Sequence, residues 1–304
     1  MTDFFTTNIG ELAALITSFL WAVTSTLFTL GGRQVGSAVL NRVRLLLAIL
    51  LLLAAHLILR QPLPMDISTD RLFWLSLSGM VGLALGDAFL FRAFVLVGPR
   101  ISMLVMSLAP VIGAVLAWWF LGERLSAGQI FGVLLTLGGI AWVVAASSSR
   151  DGDKIGRRNY LIGVLFALGG ATGQAVGLVT AKQGLYGDFS ALSGTLVRMV
   201  AAAVVLWLVT LFQRQVFPTF VQLSKHRRAL RYIFAGAVTG PFLGVTFSLI
   251  AVQNTAVGIA STLMALPPVI LLPVSYFVFE ERFGWQVVLG TLVAIGGVAI
   301  LFLV

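Results

Sequence analysis

The sequence predicts an all-α membrane protein with ten transmembrane helices in two inverted-topology five-helix repeats. Three observations predict it. The 304 residues are 59% hydrophobic and 10% charged, more apolar surface than a soluble fold of this length can hide. Ten apolar runs recur between short polar breaks, most of them about 20 residues long, the length a helix needs to cross a hydrocarbon core. One stretch, finally, occurs twice. PVIGAVLAWWFLGERLSAGQIFGVLLTLGG begins at Pro110, and PVILLPVSYFVFEERFGWQVVLGTLVAIGG begins at Pro268, 158 residues later and without a gap.

The repeat reaches beyond that stretch. The same offset places Gly82 on Gly240, Gly86 on Gly244, Met106 on Met264 and the pair Gly138-Gly139 on Gly296-Gly297. The earlier parts of the copies align at offsets of 153 and 154, with Gly10 on Gly163, Val43 on Val197 and Arg44 on Arg198. A tandem duplication follows. It gives a first repeat over 1–148, a hydrophilic linker over 149–159 and a second repeat over 160–304.

In chain order the apolar runs lie near 9–30, 36–59, 72–96, 101–121, 126–146, 160–181, 190–213, 231–252, 255–279 and 284–304. Five runs per copy is an odd number, so the second copy enters the membrane from the opposite face. That is an inverted repeat about an axis in the membrane plane. The first run is too long for a signal-peptide core and lacks a basic flank, so it reads as a retained helix. The segment FQRQVFPTFVQLSKHRR reads as the other sizeable loop.

Composition excludes several functions. There is no Cys, hence no thiol nucleophile and no thiolate metal site. His56 and His226 are the only histidines and stand far apart, so a His-based metal site is not expected. The net charge of +9 sits in short loops between apolar runs, where it reports membrane orientation rather than a nucleic-acid partner. No cofactor is expected. The lipid bilayer is the partner that composition itself implies; oligomeric state is not legible.

Each copy combines an apolar run containing a proline, a Glu-Arg corner (Glu123-Arg124 and Glu281-Arg282) and a closing helix with a Gly pair. With the segment LGDAFLFRAFVLVGPRISMLVMSLAPVIGAVLAWWFLGERL, this pattern resembles the EamA family of the drug/metabolite transporter superfamily. The resemblance covers essentially the whole chain. It implies a secondary carrier, commonly an exporter, driven by protons or another gradient and lacking an ATP-binding domain. No Walker-type loop occurs in the sequence. The family's cargoes are too varied for the resemblance to fix a substrate.

Charged residues at membrane depth are costly and need a reason. Arg44 and Arg198 are repeat equivalents, and their symmetry points to a structural role. Arg42 has no counterpart and is expected near the same interface. Asp87 and Arg92 are unmatched, because Val245 and Ile250 stand at their places in the second copy. Five positions apart, they lie about 140° around a helix and share no face. Asp87 shares its face with Phe91 and Phe94; it either pairs with Arg44 or Arg198 or serves as a cavity carboxylate taking a proton or facing an amine.

Thr17, Trp21, Thr24, Ser25 and Phe28 form one stripe at helical spacing in the first run. Their counterparts in the sixth run are small residues around Gln174. Gly170 and Gly177 suit close helix packing, whereas Trp21 and Gln174 are candidate flanks of a substrate. Met106 and Met264, at matched positions, complete the substrate-cavity candidates Trp21, Thr24, Asp87, Phe91, Gln174, Met106 and Met264. Asp87 and Glu11 are the coupling candidates, although Glu11 also suits a helix start. Gln253 and Asn254 read as a hairpin turn, Glu123-Arg124 and Glu281-Arg282 as corner caps, and Trp118 and Trp119 as interface aromatics.

Matched Gly and Pro interruptions in two repeats point to a transporter's binding site. Pro110, Pro268, Gly86 and Gly244 are therefore the expected structural or gating positions, with Arg44 and Arg198 holding the fold. The function expected is alternating-access transport of a small, partly apolar metabolite, amino-acid-like or otherwise, across a bacterial-type inner membrane. A channel or lipid-scrambling protein is the alternative. An intramembrane enzyme would need clustered His, Asp or Cys, and the sequence offers none.

Ten helices place both termini on one side. Cytoplasmic termini would leave four basic residues in the inside loops (Arg60, Arg71, Arg124, Lys182) against twelve in the opposite set, including Arg150, Lys154, Arg157, Arg158, Arg227 and Arg228. The positive-inside rule therefore favours external termini, with the loops around 147–159 and 214–230 in the cytoplasm. The resemblance implies the reverse orientation. In intact cells a cysteine placed at Ser148 is expected to resist an impermeant maleimide, while one placed at Thr2 is labelled; the opposite pattern overturns the charge-based orientation.

Overall fold

The computed structural model describes residues 8–121, 126–187, 189–255, 260 and 263–303. Every regular element among them is helical: α1 (Ile9–Val35), α2 (Ser37–Ile58), α3 (Thr69–Met106), α4 (Ala109–Leu121), α5 (Ala127–Ile155), α6 (Arg157–Gly184), α7 (Ala191–Phe212), α8 (Val216–Lys225), α9 (Arg227–Asn254), α10 (Pro267–Val278) and α11 (Trp285–Leu303). Seven of the described helices are long and apolar enough to cross a membrane, and α10 and α11 are shorter apolar helices.

α3 is two helices joined at Gly98, whose φ of 79° and ψ of 171° are non-helical. The positive φ suits glycine, and Pro99 starts the next segment with its missing N–H at a helix start. The segment beyond Gly98 returns, so that α4 packs on α6 as α3 does. The turn is the boundary expected between the third and fourth runs.

Two expected loops are largely helical. The hydrophilic linker is helix up to Ile155 and again from Arg157, interrupted at Gly156, where φ is 87°. Within the second loop, Val216–Lys225 forms α8, whose Thr219 Oγ1 accepts a 2.8 Å hydrogen bond from Arg42 Nη1. Arg42 therefore anchors α8 rather than joining Arg44. The Trp207 indole also donates to the Arg42 carbonyl, at 3.2 Å. Polar composition suggested loops, but a helix with few charges on one face still docks against a neighbour.

The helices approach through glycine. A Cβ on Gly173 would stand 2.6 Å from the Gly86 Cα, and one on Gly177 would stand 2.9 Å from the Gly82 Cα. α3 and α6 thus cross with backbones in contact, as small residues permit in lipid. Gly240 and Gly244 of α9, the counterparts of Gly82 and Gly86, receive Thr24 and Trp21 of α1 instead.

A second crossing is reciprocal. On α5, a Cβ at Gly139 would meet the Ala294 backbone at 2.6 Å and the Gly290 carbonyl at 2.9 Å. On α11, a Cβ at Gly297 would meet the Thr136 backbone at 2.5 Å and the Gly132 carbonyl at 2.7 Å. Thr136 and Ala294, Gly132 and Gly290, and Gly139 and Gly297 are all 158 apart, so each copy presents the same patch to the other.

Both copies also distort in register. Wide turns with i→i+5 hydrogen bonding occupy Gly79–Gly86 and Val238–Gly244, ending at matched glycines. Such turns release backbone carbonyls to side chains, and the Leu83 carbonyl accepts from Arg44 Nη2 at 2.6 Å. Helical geometry fails again at Ser107-Leu108 and at Ala265-Leu266. Pro110 and Pro268 follow these two breaks, and a proline removes the amide that would continue the ladder.

A branched side chain at the α3–α6 crossing has nowhere to go. Gly173→Val is expected to lower the unfolding free energy by about 2 kcal/mol or more, read as a lower thermal midpoint in detergent. Gly138→Ala, where a Cβ meets nothing within 4 Å, should leave the midpoint unchanged or slightly higher.

Candidate functional site

A cavity of about 960 Å³ lies between the two copies. Its size suits a metabolite-sized solute. Trp21, Thr24, Asp87, Phe91, Gln174, Met106 and Met264 all line it. Arg44 and Arg198 stand in its wall as well. The wall therefore draws on α2 and α7 in addition to the elements carrying the aromatic and methionine residues.

The position of each lining residue follows from its helix. On α1, Trp21, Thr24 and Phe28 share one stripe; the Thr24 hydroxyl is 2.8 Å from that of Thr239 on α9. Phe28 meets Phe91 edge-on at 5.2 Å between centroids. Met106, Ser107 and Pro110 of the first copy, and Met264, Ala265 and Pro267 of the second, border the cavity at the two matched helix breaks. Pro268 is buried one residue further on.

Gly86 and Gly244 lie behind the wall. Gly86 backs onto Gly173, and Gly244 lies against the Trp21 indole. Lys182 and Gln183, at the end of α6, and Gln129, at the start of α5, mark the mouth. Phe94 and Met103, on either side of the Gly98 turn, form the floor.

One charged network dominates the wall. Asp87 Oδ2 accepts from Arg44 Nη2 at 2.7 Å, and Asp87 Oδ1 accepts from Gln174 Nε2 at 2.9 Å. Arg44 Nε donates to Asn41 Oδ1 at 3.0 Å, and the Asn41 amide donates to the Ala84 carbonyl at 3.3 Å. The Arg44 guanidinium also stacks 4.7 Å from the centre of the Phe91 ring. Both members are buried, Arg44 at 2% and Asp87 at 5% exposure. Removing one partner of such a pair strands a charge in a low-dielectric interior.

Arg198 is in a different situation. It is 4% exposed, lies close enough to Asp87 to feel its charge, and has a buried Nε without a hydrogen-bond partner among the described residues. Symmetry with Arg44 suggested a purely structural residue. Arg44 is held by a network, whereas the Arg198 side chain enters the cavity wall without one. The signal was present in the sequence as the unmatched pair Asp87 and Val245, but it becomes legible only when the two arginines are placed.

Other expected residues lie away from the cavity. Glu11 accepts a 2.6 Å hydrogen bond from the Thr255 hydroxyl, and its second oxygen is buried without a partner among the described residues. Arg92 is exposed on the outer face of α3. Gln253 and Asn254 end α9: Gln253 donates to the Phe189 carbonyl at 2.9 Å, and Asn254 donates back to Ile250 at 2.8 Å.

Rather than capping its own corner, Glu281 reaches the other copy and accepts from Arg100 Nε at 2.8 Å. This pair stands beyond the cavity floor, where the Gly98 turn leaves room for the carboxylate. Glu123 and Arg124, and the side chains of Trp118 and Trp119, fall outside the described residues.

A family model described as the EamA-like transporter family matches residues 8–145 and again 161–303. No curated protein matches. One solved structure, described only as the crystal structure of a protein, is similar over 96% of this chain and 96% of its own, with a TM-score of 0.65 at 21% identity. At that identity the likeness speaks to the fold alone.

Asp87→Ala leaves Arg44 buried and unpaired. It is expected to cost about 3–5 kcal/mol, seen as a large fall in thermal midpoint in detergent. The double variant Arg44→Met/Asp87→Leu, which removes both charges, should recover much of that loss; a double variant as unstable as the single one overturns the pairing argument.

Proposed function

The chain belongs to the EamA-like transporter family, and on that premise we propose that it is a secondary active carrier working by alternating access. In this reading it has ten membrane helices in two inverted repeats. It moves a small, partly apolar solute, commonly outward, across a bacterial-type inner membrane. One observation carries the reading: the cavity is bordered by interruptions at matched positions of both copies, Ser107-Leu108 before Pro110 and Ala265-Leu266 before Pro268. Broken helices at corresponding places in two repeats are where such carriers bind their solute.

The reciprocal α5–α11 crossing supports the two-fold relation between copies, since a contact of i with j′ matched by j with i′ is what a two-fold axis produces. Rocking would proceed as follows. The cavity reaches the bundle end that bears Lys182 and Gln183. At the other end Phe94, Met103 and the Arg100–Glu281 pair close it. Exchange of roles between the copies breaks the Arg100–Glu281 pair, opens that end and closes the first. The crossing of α3 with α6, where glycine backbones meet, is a surface on which helices can slide without side chains interlocking.

Protons are proposed as the coupling ion, with Asp87 as the carrier group and Glu11 as the other candidate. Protonation of Asp87 would release Arg44, so the loading of a proton and the packing of α2 against α3 are tied in one contact.

Purified protein in proteoliposomes is expected to exchange labelled solute in saturable counterflow when tested on a panel of aromatic and aliphatic amino acids and carboxylates. Asp87→Asn should abolish the pH dependence of that exchange. Flux that never saturates, or passage of lipid instead of solute, would favour the channel or scramblase reading. An unchanged pH profile in Asp87→Asn would remove the coupling role of that residue while leaving its location intact.

A further inference from the structure

We propose that Arg198 forms a carboxylate-binding subsite, and that the solute carried is a singly charged organic acid with an apolar body. The proposal rests on the carrier reading above and narrows it. It comes from comparing the two arginines that the repeat makes equivalent. Arg44 has two side-chain acceptors, Asn41 Oδ1 at 3.0 Å and Asp87 Oδ2 at 2.7 Å. In the second copy, Thr195 stands where Asn41 does and Val245 where Asp87 does. The Thr195 hydroxyl is turned away, donating to the Ala191 carbonyl at 2.8 Å. The Val245 side chain offers no acceptor.

The second copy thus has the cation but neither of the two side-chain acceptors that hold its counterpart. A buried guanidinium whose Nε has no partner among the described residues is costly unless something supplies an acceptor. Arg198 lines the cavity, and so does Val245, the residue at the repeat position of the acid. A carboxylate entering from the cavity can therefore stand to Arg198 as Asp87 stands to Arg44. The planar fork of a guanidinium fits a carboxylate through two parallel bonds.

Charge sets the class more narrowly. Asp87 neutralises Arg44, which leaves one positive charge in the inner cavity. A monoanion balances it, whereas a doubly charged phosphate would leave an excess negative charge at membrane depth. An amine is not served: both Asp87 oxygens are already engaged, by Arg44 and Gln174. An amino acid would bind through its carboxylate alone, and the same acid without its amino group would bind as well. Exposed Lys182 at the mouth adds a second positive charge on the approach, which raises the local concentration of anions. Trp21, Phe28, Met106 and Met264 provide the apolar surface for the rest of the solute.

The test uses the full-length protein in detergent with radiolabelled phenylacetate as probe, and phenylacetamide, phenethylamine and L-phenylalanine as competitors. Phenylacetate is expected to bind saturably, L-phenylalanine to compete no better than unlabelled phenylacetate, and the amide and amine to be weaker by about tenfold or more, the loss of roughly one charge-assisted contact. Arg198→Gln should weaken phenylacetate by a similar factor, with Arg198→Lys intermediate. Val245→Asp puts back the missing acid; it should abolish phenylacetate binding while raising the thermal midpoint, which separates loss of the subsite from loss of the fold. Equal binding of the amide, binding that survives both Arg198→Gln and Val245→Asp, or no binding of phenylacetate, benzoate or 3-phenylpropionate overturns the proposal. Saturable counterflow of a neutral or cationic solute that ignores Arg198→Gln would keep the carrier reading and discard the subsite. Phenylacetate binding without counterflow of any solute would do the reverse.

Discussion

The structure depends on backbone-to-backbone contact through glycine. Within lipid there is no hydrophobic gain from moving one apolar helix against another, so association rests on how closely two helices can approach. At Gly173 and Gly177 against Gly86 and Gly82, and at Gly139 and Gly297 against the facing backbones, the fold uses positions where any side chain would collide. These contacts set which helices are neighbours. They also leave smooth surfaces, on which two arrangements can have similar energies. The same residues that hold the fold together are thereby suited to let it move.

A second constraint is charge. A guanidinium at membrane depth must find an acceptor, and the two copies meet that need differently. In the first copy Arg44 is bound to Asp87, Asn41 and the Leu83 carbonyl, and the wide turn ending at Gly86 frees that carbonyl to accept. In the second copy the wide turn persists, ending at Gly244, but the side-chain acceptors do not. The duplication gives two equivalent arginine positions, and Thr195 and Val245, standing where Asn41 and Asp87 stand in the first copy, leave one of them electrostatically incomplete. Where a repeat departs from its own internal symmetry, the difference is one that packing alone does not require.

The two ends of the cavity are unlike for a related reason. Its mouth is bordered by the start of α5 and the end of α6 and carries Lys182. Its far end is closed by aromatic and methionine side chains around the Gly98 turn, and beyond them by the Arg100–Glu281 pair joining the copies. An ion pair with one member partly exposed is a modest contribution to stability. A contact of that strength breaks at lower cost than the more deeply buried Arg44–Asp87 pair.

The sequence by itself determined the helical membrane class, the tandem repeat and the positions of the helix interruptions. Each is a one-dimensional property: run length against membrane thickness, register of glycines and prolines, and the missing amide of Pro110 and Pro268. The cavity residues were also within reach, because Trp21, Thr24 and Phe28 share a helical stripe and Met106 and Met264 share a register. What only the tertiary structure decided is partnership. Asp87 had two arginines available in sequence, and only the crossing of α2 with α3 gave it Arg44. Glu281 looked like a local cap, and the apposition of the copies gave it Arg100 instead. Arg198 matched Arg44 in register, yet it stands without the acceptors that hold its counterpart. Register specifies which residues are equivalent; the side chains that meet across helices decide whether equivalents behave alike.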